Sequence, residues 1–158
     1  MCKYLLGLLV MTLLIISCAR PSVAVTNEET SGYNEKLALE VGADDYGMRK
    51  YVMAFLKTGP NRDRPKEEAD ALQVAHMENI NKLAEAGKLC LAGPFLHDGE
   101  LRGIYVFNVE TIEEAEQLTN TDPAIKAGSL VMELVPWYGS AALMKIKELH
   151  GQVAKINI

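Results

Sequence analysis

Between residues 51 and 136, apolar positions fall into four runs of strand length and two of helical spacing. The strand-length runs are bounded by Gly, Pro or Asp-Gly signals and cover Tyr51–Lys57, Leu89–Ala92, Gly103–Val109 and Leu130–Val135. Apolar side chains recur every three or four positions from about Pro65 to Ala86, which predicts a helix. Thr111, followed three residues later by Glu114, predicts the start of a second helix that reaches about Thr119.

The order of these elements is β-α-β-β-α-β. With right-handed crossovers it predicts an α+β fold, in which a four-stranded antiparallel sheet in ferredoxin-like arrangement carries both helices on one face. Asp122-Pro123 starts a short turn before the last strand, and we expect Pro136 to end that strand.

Apolar residues occupy both faces of the predicted sheet. In the first strand, Val52, Ala54 and Leu56 point one way, and Tyr51, Met53 and Phe55 point the other. Two helices cover only one face, and a bare second face would exceed the roughly 300–600 Å² apolar patch of a typical monomer. We therefore expect a homodimer with two sheets stacked face to face. The alternative is that residues 138–158 fold back over this face.

Composition narrows the function. The 158 residues carry a formal net charge of −5, and no basic block suited to nucleic-acid phosphates is present. The three cysteines form no CxxC pair, and the sequence contains no GxGxxG motif. We therefore expect no metal, no cofactor and no nucleic-acid partner.

The N-terminus is typical of a targeting segment. Lys3 precedes an apolar run that is shorter than the ~20 residues of a membrane-spanning helix. The run ends in Ile15-Ile16-Ser17-Cys18, which resembles the lipobox of bacterial lipoprotein signal peptides. That resemblance implies cleavage after residue 17, lipidation of Cys18, and a cell-envelope protein facing the periplasm or the exterior. The alternative is an uncleaved anchor helix.

Three ranges follow from these signals. We predict a signal peptide over residues 1–17, a solvated tether over residues 18–48 that is rich in polar residues, and a folded domain with a C-terminal extension over residues 49–149.

His76 is the leading candidate for chemistry because it lies on the apolar face of the first predicted helix. The topology brings Asp122 to the same end of the sheet, and a carboxylate beside an imidazole prepares a general base. The two stacked sheets of the dimer would close a chamber beside His76. The alternatives are a core histidine with its polar atoms satisfied, and an Asp122 that only caps a helix before Pro123.

Further residues gather at this end of the sheet. We predict Pro60, Gly93 and Pro94 as substrate-binding positions, with Arg62 and Arg102 binding an anion. Surface arginines are more often simply solvated.

A set of short motifs resembles the YciI-like family, also called the YCII-related domain, over about residues 50–136. The matching positions are His76, Leu83, Gly87, Leu89, Ala92-Gly93-Pro94, Glu113-Glu114-Ala115, Asp122-Pro123 and Ala127-Gly128. The resemblance implies a ferredoxin-like fold, a dimeric α/β barrel, and a His-Asp active site at His76 and Asp122. One branch of the family has a dehydrochlorinase-type activity on a chlorinated aromatic.

Three functions remain open at this stage. The first is a lipid-anchored, cofactor-independent lyase or dehydrohalogenase in which His76 abstracts a proton and Asp122 orients it. The second is a non-catalytic module that binds a small molecule in the envelope. The third is a structural envelope protein in which His76 and Asp122 form a buried polar pair.

Overall fold

A computed structural model describes residues 32–156. The predicted signal peptide and Cys18 lie outside the described residues. The elements, in chain order, are α1 (Glu35–Val41), β1 (Met48–Thr58), α2 (Lys66–Glu85), β2 (Leu89–Pro94), β3 (Leu101–Phe107), α3 (Ile112–Thr119), α4 (Pro123–Lys126), β4 (Leu130–Ser140), a 3₁₀ helix (Ala141–Lys145) and α5 (Ile146–Val153).

The four strands form one antiparallel sheet in the order β2-β3-β1-β4. This order, with α2 after β1 and α3 after β3, confirms the predicted ferredoxin-like α+β fold. Thr58 pairs with Leu130, and Lys57 pairs with Leu101. The end of β1 and the starts of β3 and β4 therefore meet at one end of the sheet.

The main core lies between the sheet and the helices. Val52 and Ala54 of β1 are fully buried, as is Phe107 of β3, and all three pack in one cluster with Leu83 of α2 and Ala115 of α3. The predicted alternation of β1 is therefore correct for its helix-facing side. Thr111 caps α3 as expected, because its Oγ1 accepts a hydrogen bond from the Glu114 backbone N–H at 3.2 Å.

The last strand corrects one expectation, since β4 does not end at Pro136. It continues to Ser140, and Pro136 pairs with Val52 in an unbroken register. The physical reason is position: β4 is an edge strand, where a residue without an N–H is tolerated.

The predicted tether also needs a correction at its C-terminal end. Residues 35–41 form α1, which Asn34 caps and which buries Val41. Arg49 donates a hydrogen bond from Nη1 to the Val41 carbonyl at 2.8 Å, and Lys145 pairs with Glu40. Leu37, Leu39 and Val41 alternate in sequence and fit a short strand as well as a turn of helix, so they gave too weak a signal. Contacts with the distant C-terminal segment hold this helix in place.

The second face of the sheet is only partly covered. Around Tyr51 the C-terminal segment shields it, since the 3₁₀ helix contacts β1 and β2 and the Tyr51 hydroxyl donates to the Ser140 carbonyl at 3.0 Å. Val131 and Val135 of β4 remain exposed, at 41% and 38%. The fold-back alternative thus describes one end of this face, and the other end is open in the single chain.

Within residues 32–156, no helix combines the length and apolar character that a membrane span needs.

Candidate active site

His76 and Asp122 are in direct contact. Asp122 accepts from His76 Nδ1 at 2.8 Å through Oδ2 and 3.0 Å through Oδ1. The two residues are 46 positions apart in sequence, and each is buried, with 7% and 1% of its surface exposed. The contact that the topology predicted is therefore present, while the catalytic role of the pair stays a prediction.

Asp122 is held by the start of α4. It is the N-cap of that helix, and its Oδ1 also accepts from the Ala124 backbone N–H at 2.8 Å. The capping alternative is thus correct as well, and it coexists with the contact to His76. Because the cap fixes the carboxylate, Asp122 is presented to the imidazole in a set orientation.

His76 comes from the middle of α2, on the side that faces the sheet. Asn79 and Leu83, one and two helical turns later, are buried on the same side. The imidazole therefore projects into the layer between α2 and the sheet.

Tyr105 of β3 completes the arrangement, and the sequence analysis did not single it out. Its hydroxyl lies 3.3 Å from His76 Nε2, and the two rings stack with centroids 6.3 Å apart. Only 2% of Tyr105 is exposed. The signal was available: Tyr105 alternates with Ile104, so it shares a face with Phe107 and lies opposite the helix that carries His76.

Burial raises the pKa of the Tyr105 hydroxyl far above its ordinary value, and the negative charge of Asp122 adds to the shift. Tyr105 is therefore a neutral phenol. A carboxylate only accepts hydrogen bonds, so the proton between His76 and Asp122 is on Nδ1. The lone pair of Nε2 then accepts from the Tyr105 O–H, which gives one chain of donors from Tyr105 through His76 to Asp122.

A backbone clamp holds the loop after β1 against the end of α4. The Asn61 N–H donates to the Gly128 carbonyl at 2.9 Å, and Arg64 Nη2 donates to the Ala127 carbonyl at 3.3 Å. A Cβ atom on Gly59 would lie 2.3 Å from the Gly128 carbonyl oxygen, so this approach requires glycine. Since Asp122 caps the other end of α4, the clamp also positions the carboxylate.

The predicted substrate-binding residues lie at this end of the sheet but outside the buried chain. Pro60 and Arg62 are exposed, and Arg62 Nη1 lies 3.4 Å from the Ser129 carbonyl oxygen. Gly93 and Pro94 end β2, where Pro94 pairs with Gly103, and Arg102 follows the first residue of β3. Arg64, which the sequence analysis passed over, is the arginine that packs inward, with 12% of its side chain exposed.

The expected chamber between two sheets needs a correction. Tyr105 pairs with Ala54 on the helix-covered side of the sheet, so His76 lies on that side too. A dimer made through the opposite face would not enclose the imidazole. Alternation along β3 decides this point, because residues that pair directly across strands share a face.

Cavities away from His76 are found within the described part of the chain. One of about 60 Å³ is lined by Leu89, Cys90 and Met144 among others, and one of about 210 Å³ is lined by residues including Lys50 and Trp137. Neither is lined by His76 or Asp122. Among residues 32–156, no group of three or more His, Cys, Asp or Glu side chains is placed to hold a metal ion.

The model of the YCII-related domain matches residues 51–138, more than half of the chain and the whole sheet except its margins. The chain belongs to the YCII-related domain family. Among curated proteins, none matches it.

Nine chains of known structure match this YCII-related protein. One is 5-chloro-2-hydroxyhydroquinone dehydrochlorinase from Burkholderia phenoliruptrix AC1100, solved in complex with 2,5-dihydroxybenzoquinone. It is 19% identical with a TM-score of 0.41, and the match covers 54% of this chain and 92% of that one. Both α1 and α5 lie outside the residues that match the family model.

Proposed function

We propose that this YCII-related protein is a cofactor-independent enzyme of the lyase type, in which His76 removes a proton from a small organic molecule and Asp122 orients the imidazole. The observation that carries the proposal is the buried hydrogen-bond chain of Asp122, His76 and Tyr105. It fixes the tautomer that a general base needs, with Nδ1 protonated and the Nε2 lone pair directed away from the carboxylate.

Asp122 strengthens the base in two ways. Its carboxylate stabilises the imidazolium that forms when Nε2 takes a proton, and its second partner, the Ala124 N–H, keeps it from rotating. The family resemblance makes elimination of chloride from a chlorinated aromatic the first reaction to test. A chlorinated hydroquinone would react as its diketo tautomer, in which the chlorine-bearing carbon and its neighbour are saturated. The proton then moves from the carbon beside the carbonyl to Nε2, the C–H electron pair forms the new double bond, and chloride leaves with the C–Cl pair, which gives a quinone.

A second candidate function is a non-catalytic binding module. The observation that favours it is that the polar atoms of the buried imidazole already have partners, with Nδ1 against Asp122 and Nε2 against Tyr105. On this alternative the imidazole only hydrogen-bonds a captured small molecule. Both functions require that the contact between Tyr105 and Nε2 open, because Asp122 holds Nδ1.

Assembly and location extend the proposal. We propose a homodimer through the open end of the second sheet face, around Val131 and Val135, because exposed apolar side chains on a sheet favour a second layer. We further propose that lipidated Cys18 anchors the protein to a membrane of the cell envelope. The lipid anchor is inferred from the lipobox-like sequence that ends at Cys18.

Native mass spectrometry of the purified full chain tests the function without assuming a substrate, because a retained ligand adds its mass. The compound identified in this way, and chlorinated hydroquinones with chloride release as the readout, are then offered to wild type and to His76→Ala. His150→Ala serves as the matched control because His150 is exposed on α5.

An enzyme loses turnover in His76→Ala while ligand affinity changes little, and His150→Ala behaves as wild type. Should wild type bind a ligand that it never converts, the binding module replaces the enzyme. Turnover that persists in His76→Ala contradicts the proposed base.

A further inference from the structure

We propose that Tyr105 is a catalytic residue whose hydroxyl passes from His76 Nε2 to an oxygen atom of the substrate, so that the substrate class is small carbonyl compounds or enols with an acidic C–H beside the oxygen-bearing carbon. The inference rests on the proposed function of His76 and adds the identity of its partner.

The base nitrogen of His76 is occupied in the structure. Nε2 has one lone pair, and the Tyr105 O–H lies 3.3 Å from it. A proton from a substrate and the proton of Tyr105 cannot share that lone pair. His76 therefore acts as a base only when Tyr105 donates elsewhere.

Once it leaves Nε2, the Tyr105 hydroxyl needs another acceptor. Tyr105 is 2% exposed, and leaving a buried donor without an acceptor costs free energy. The substrate must therefore bring an acceptor close to the position that Nε2 occupies. The distance of 3.3 Å between Oη and Nε2 is longer than the about 2.7–3.2 Å typical of hydrogen bonds between nitrogen and oxygen, so this contact is readily exchanged for a shorter one.

The Tyr105 hydroxyl is protonated. Because burial holds its pKa high, the phenol keeps its proton and acts as a hydrogen-bond donor. A neutral donor in a buried site stabilises negative charge that develops on a substrate oxygen. Tyr105 can therefore stabilise an oxyanion by donating a hydrogen bond, and it cannot act as the base.

The two groups together perform one balanced step. His76 Nε2 takes the proton from carbon, and the C–H electron pair moves toward the carbonyl, whose oxygen becomes an enolate oxygen. The Tyr105 O–H donates a hydrogen bond to that oxygen and keeps its proton. The enolate pair then returns to expel a leaving group from the neighbouring carbon, or the carbon is protonated again by His76.

Asn79 provides a second donor next to this site. It lies one helical turn after His76 and is 8% exposed, and its Nδ2 has no hydrogen-bond partner among the described residues. Its Oδ1 accepts from Thr121, the residue before Asp122, at 3.0 Å. A buried amide donor without a partner beside the Asp122 loop fits a ligand that is rich in acceptor oxygens.

Ring-substituted phenols test the inference because a bound phenolate imitates the planar oxyanion of an enolate. 4-Nitrophenol and 3,4-dinitrophenol are titrated into the full chain, their absorbance reports ionisation, and the ¹⁵N resonances of the His76 imidazole are followed. Wild type is compared with Tyr105→Phe. Tyr51→Phe is the control, since Tyr51 is equally buried but donates to the Ser140 carbonyl.

We expect both phenols to bind wild type as phenolates and to move the Nε2 resonance toward the value of an unbonded nitrogen. Tyr105→Phe should weaken their binding by about tenfold to hundredfold, the effect of one hydrogen bond to a charged group. Tyr51→Phe should bind as wild type does. The shift of the Nε2 resonance in wild type decides the matter even where Tyr105→Phe does not fold.

Two results overturn the inference and separate it from the proposed function. If the phenols bind equally to wild type and Tyr105→Phe, and the His76 resonance moves in both, Tyr105 has no catalytic role and His76 remains the proposed base. An Nε2 resonance that no phenol moves in wild type removes both Tyr105 and the site at His76.

Discussion

The His76 imidazole is held at both nitrogens by side chains from different elements. Asp122 at the start of α4 accepts a hydrogen bond from Nδ1, and Tyr105 on β3 contacts Nε2. Each partner has a separate effect. The Asp122 carboxylate sets the tautomer of the imidazole, and the Tyr105 hydroxyl has to move away before another molecule can reach the Nε2 lone pair.

Exchanging Asp122 for asparagine separates the cap from the chemistry. Asn caps helices about as well as Asp, so Asp122→Asn should keep its bond to the Ala124 N–H and fold normally. Its amide NH₂ then faces Nδ1 and stabilises the opposite tautomer. We expect a turnover loss on the order of a thousandfold or more, measured with the reaction identified for wild type.

Asp122→Ala is the matched variant, because it loses the cap as well and should be less stable by about 1 kcal/mol in urea unfolding. Wild-type turnover in Asp122→Asn would contradict the role of the carboxylate.

Tyr51 gives the protein a measurable dependence on alkaline pH. Burial raises the pKa of Tyr51 from its ordinary 10.0 to about 12, with a smaller contribution from Cys90. The unfolded chain therefore releases this proton at lower pH than the folded chain, and the free energy of unfolding should fall as pH rises from about 10 to about 12.

Urea unfolding of Tyr51→Phe at about pH 8 and about pH 11 checks this dependence. At the lower pH the variant should be less stable by about 1 kcal/mol, since it lacks the hydrogen bond to Ser140. At the higher pH the difference should shrink. A difference that stays constant would mean that the Tyr51 hydroxyl titrates alike in both states. The variant still contains Tyr105, whose pKa is also raised by burial, so its free energy of unfolding should still fall at alkaline pH, but by less than in wild type.

Among the elements, α4 has an importance beyond its four residues. Asp122 caps its start, and its C-terminal end accepts hydrogen bonds from the loop after β1 through Ala127 and Gly128. A displacement at either end therefore changes the distance between the carboxylate and His76.

Gly59→Ala tests this coupling from a distance. Its Cβ would lie 2.3 Å from the Gly128 carbonyl oxygen, so the loop and α4 must separate. We expect a stability loss of about 1–3 kcal/mol and a further loss of turnover in the fraction that stays folded.

Gly151→Ala in α5 is the control, because nothing lies within 4 Å of its added Cβ. That variant should be neutral or more stable by up to about 1 kcal/mol. Thermal unfolding of both variants makes the comparison, and equal stability of the two would show that the clamp yields without cost.

The elements also show what sequence patterns can predict. The four strands, α2 and α3 follow from local periodicity and caps, and the contact of His76 with Asp122 follows from topology. Tyr105 needed the knowledge of which sheet face each strand residue occupies relative to α2. The helix α1 and the residues of β4 beyond Pro136 depend on partners far away in sequence, such as Lys145 for Glu40 and Val52 for Pro136. Local patterns do not contain those partners.

At the scale of the whole molecule, the two faces of the sheet have different tasks. The helix side holds the core and the chain of Asp122, His76 and Tyr105. The opposite side is covered by the C-terminal segment around Tyr51 and is open around Val131 and Val135. The proposed catalysis and the proposed assembly therefore use separate surfaces.

A charged side chain on the open end of the second sheet face, around Val131 and Val135, tests the proposed dimer. Val135→Lys should convert a dimer to a monomer, because pairing the faces would bury an unpaired ammonium group. Val74→Lys, on an exposed position of α2, is the control and should leave the dimer intact. Light scattering coupled to size exclusion gives the mass of each variant. A wild-type protein of one-chain mass refutes the dimer.

The contact between α1 and the C-terminal 3₁₀ helix has a practical consequence for recombinant fragments. A fragment trimmed to residues 51–138 would lose Arg49, Ser140 and Ala141, and Tyr51 would then face water without its acceptor. A longer fragment, from about Asn34 through Val153, retains both α1 and the 3₁₀ helix. Yields and melting curves of short and long fragments should differ accordingly.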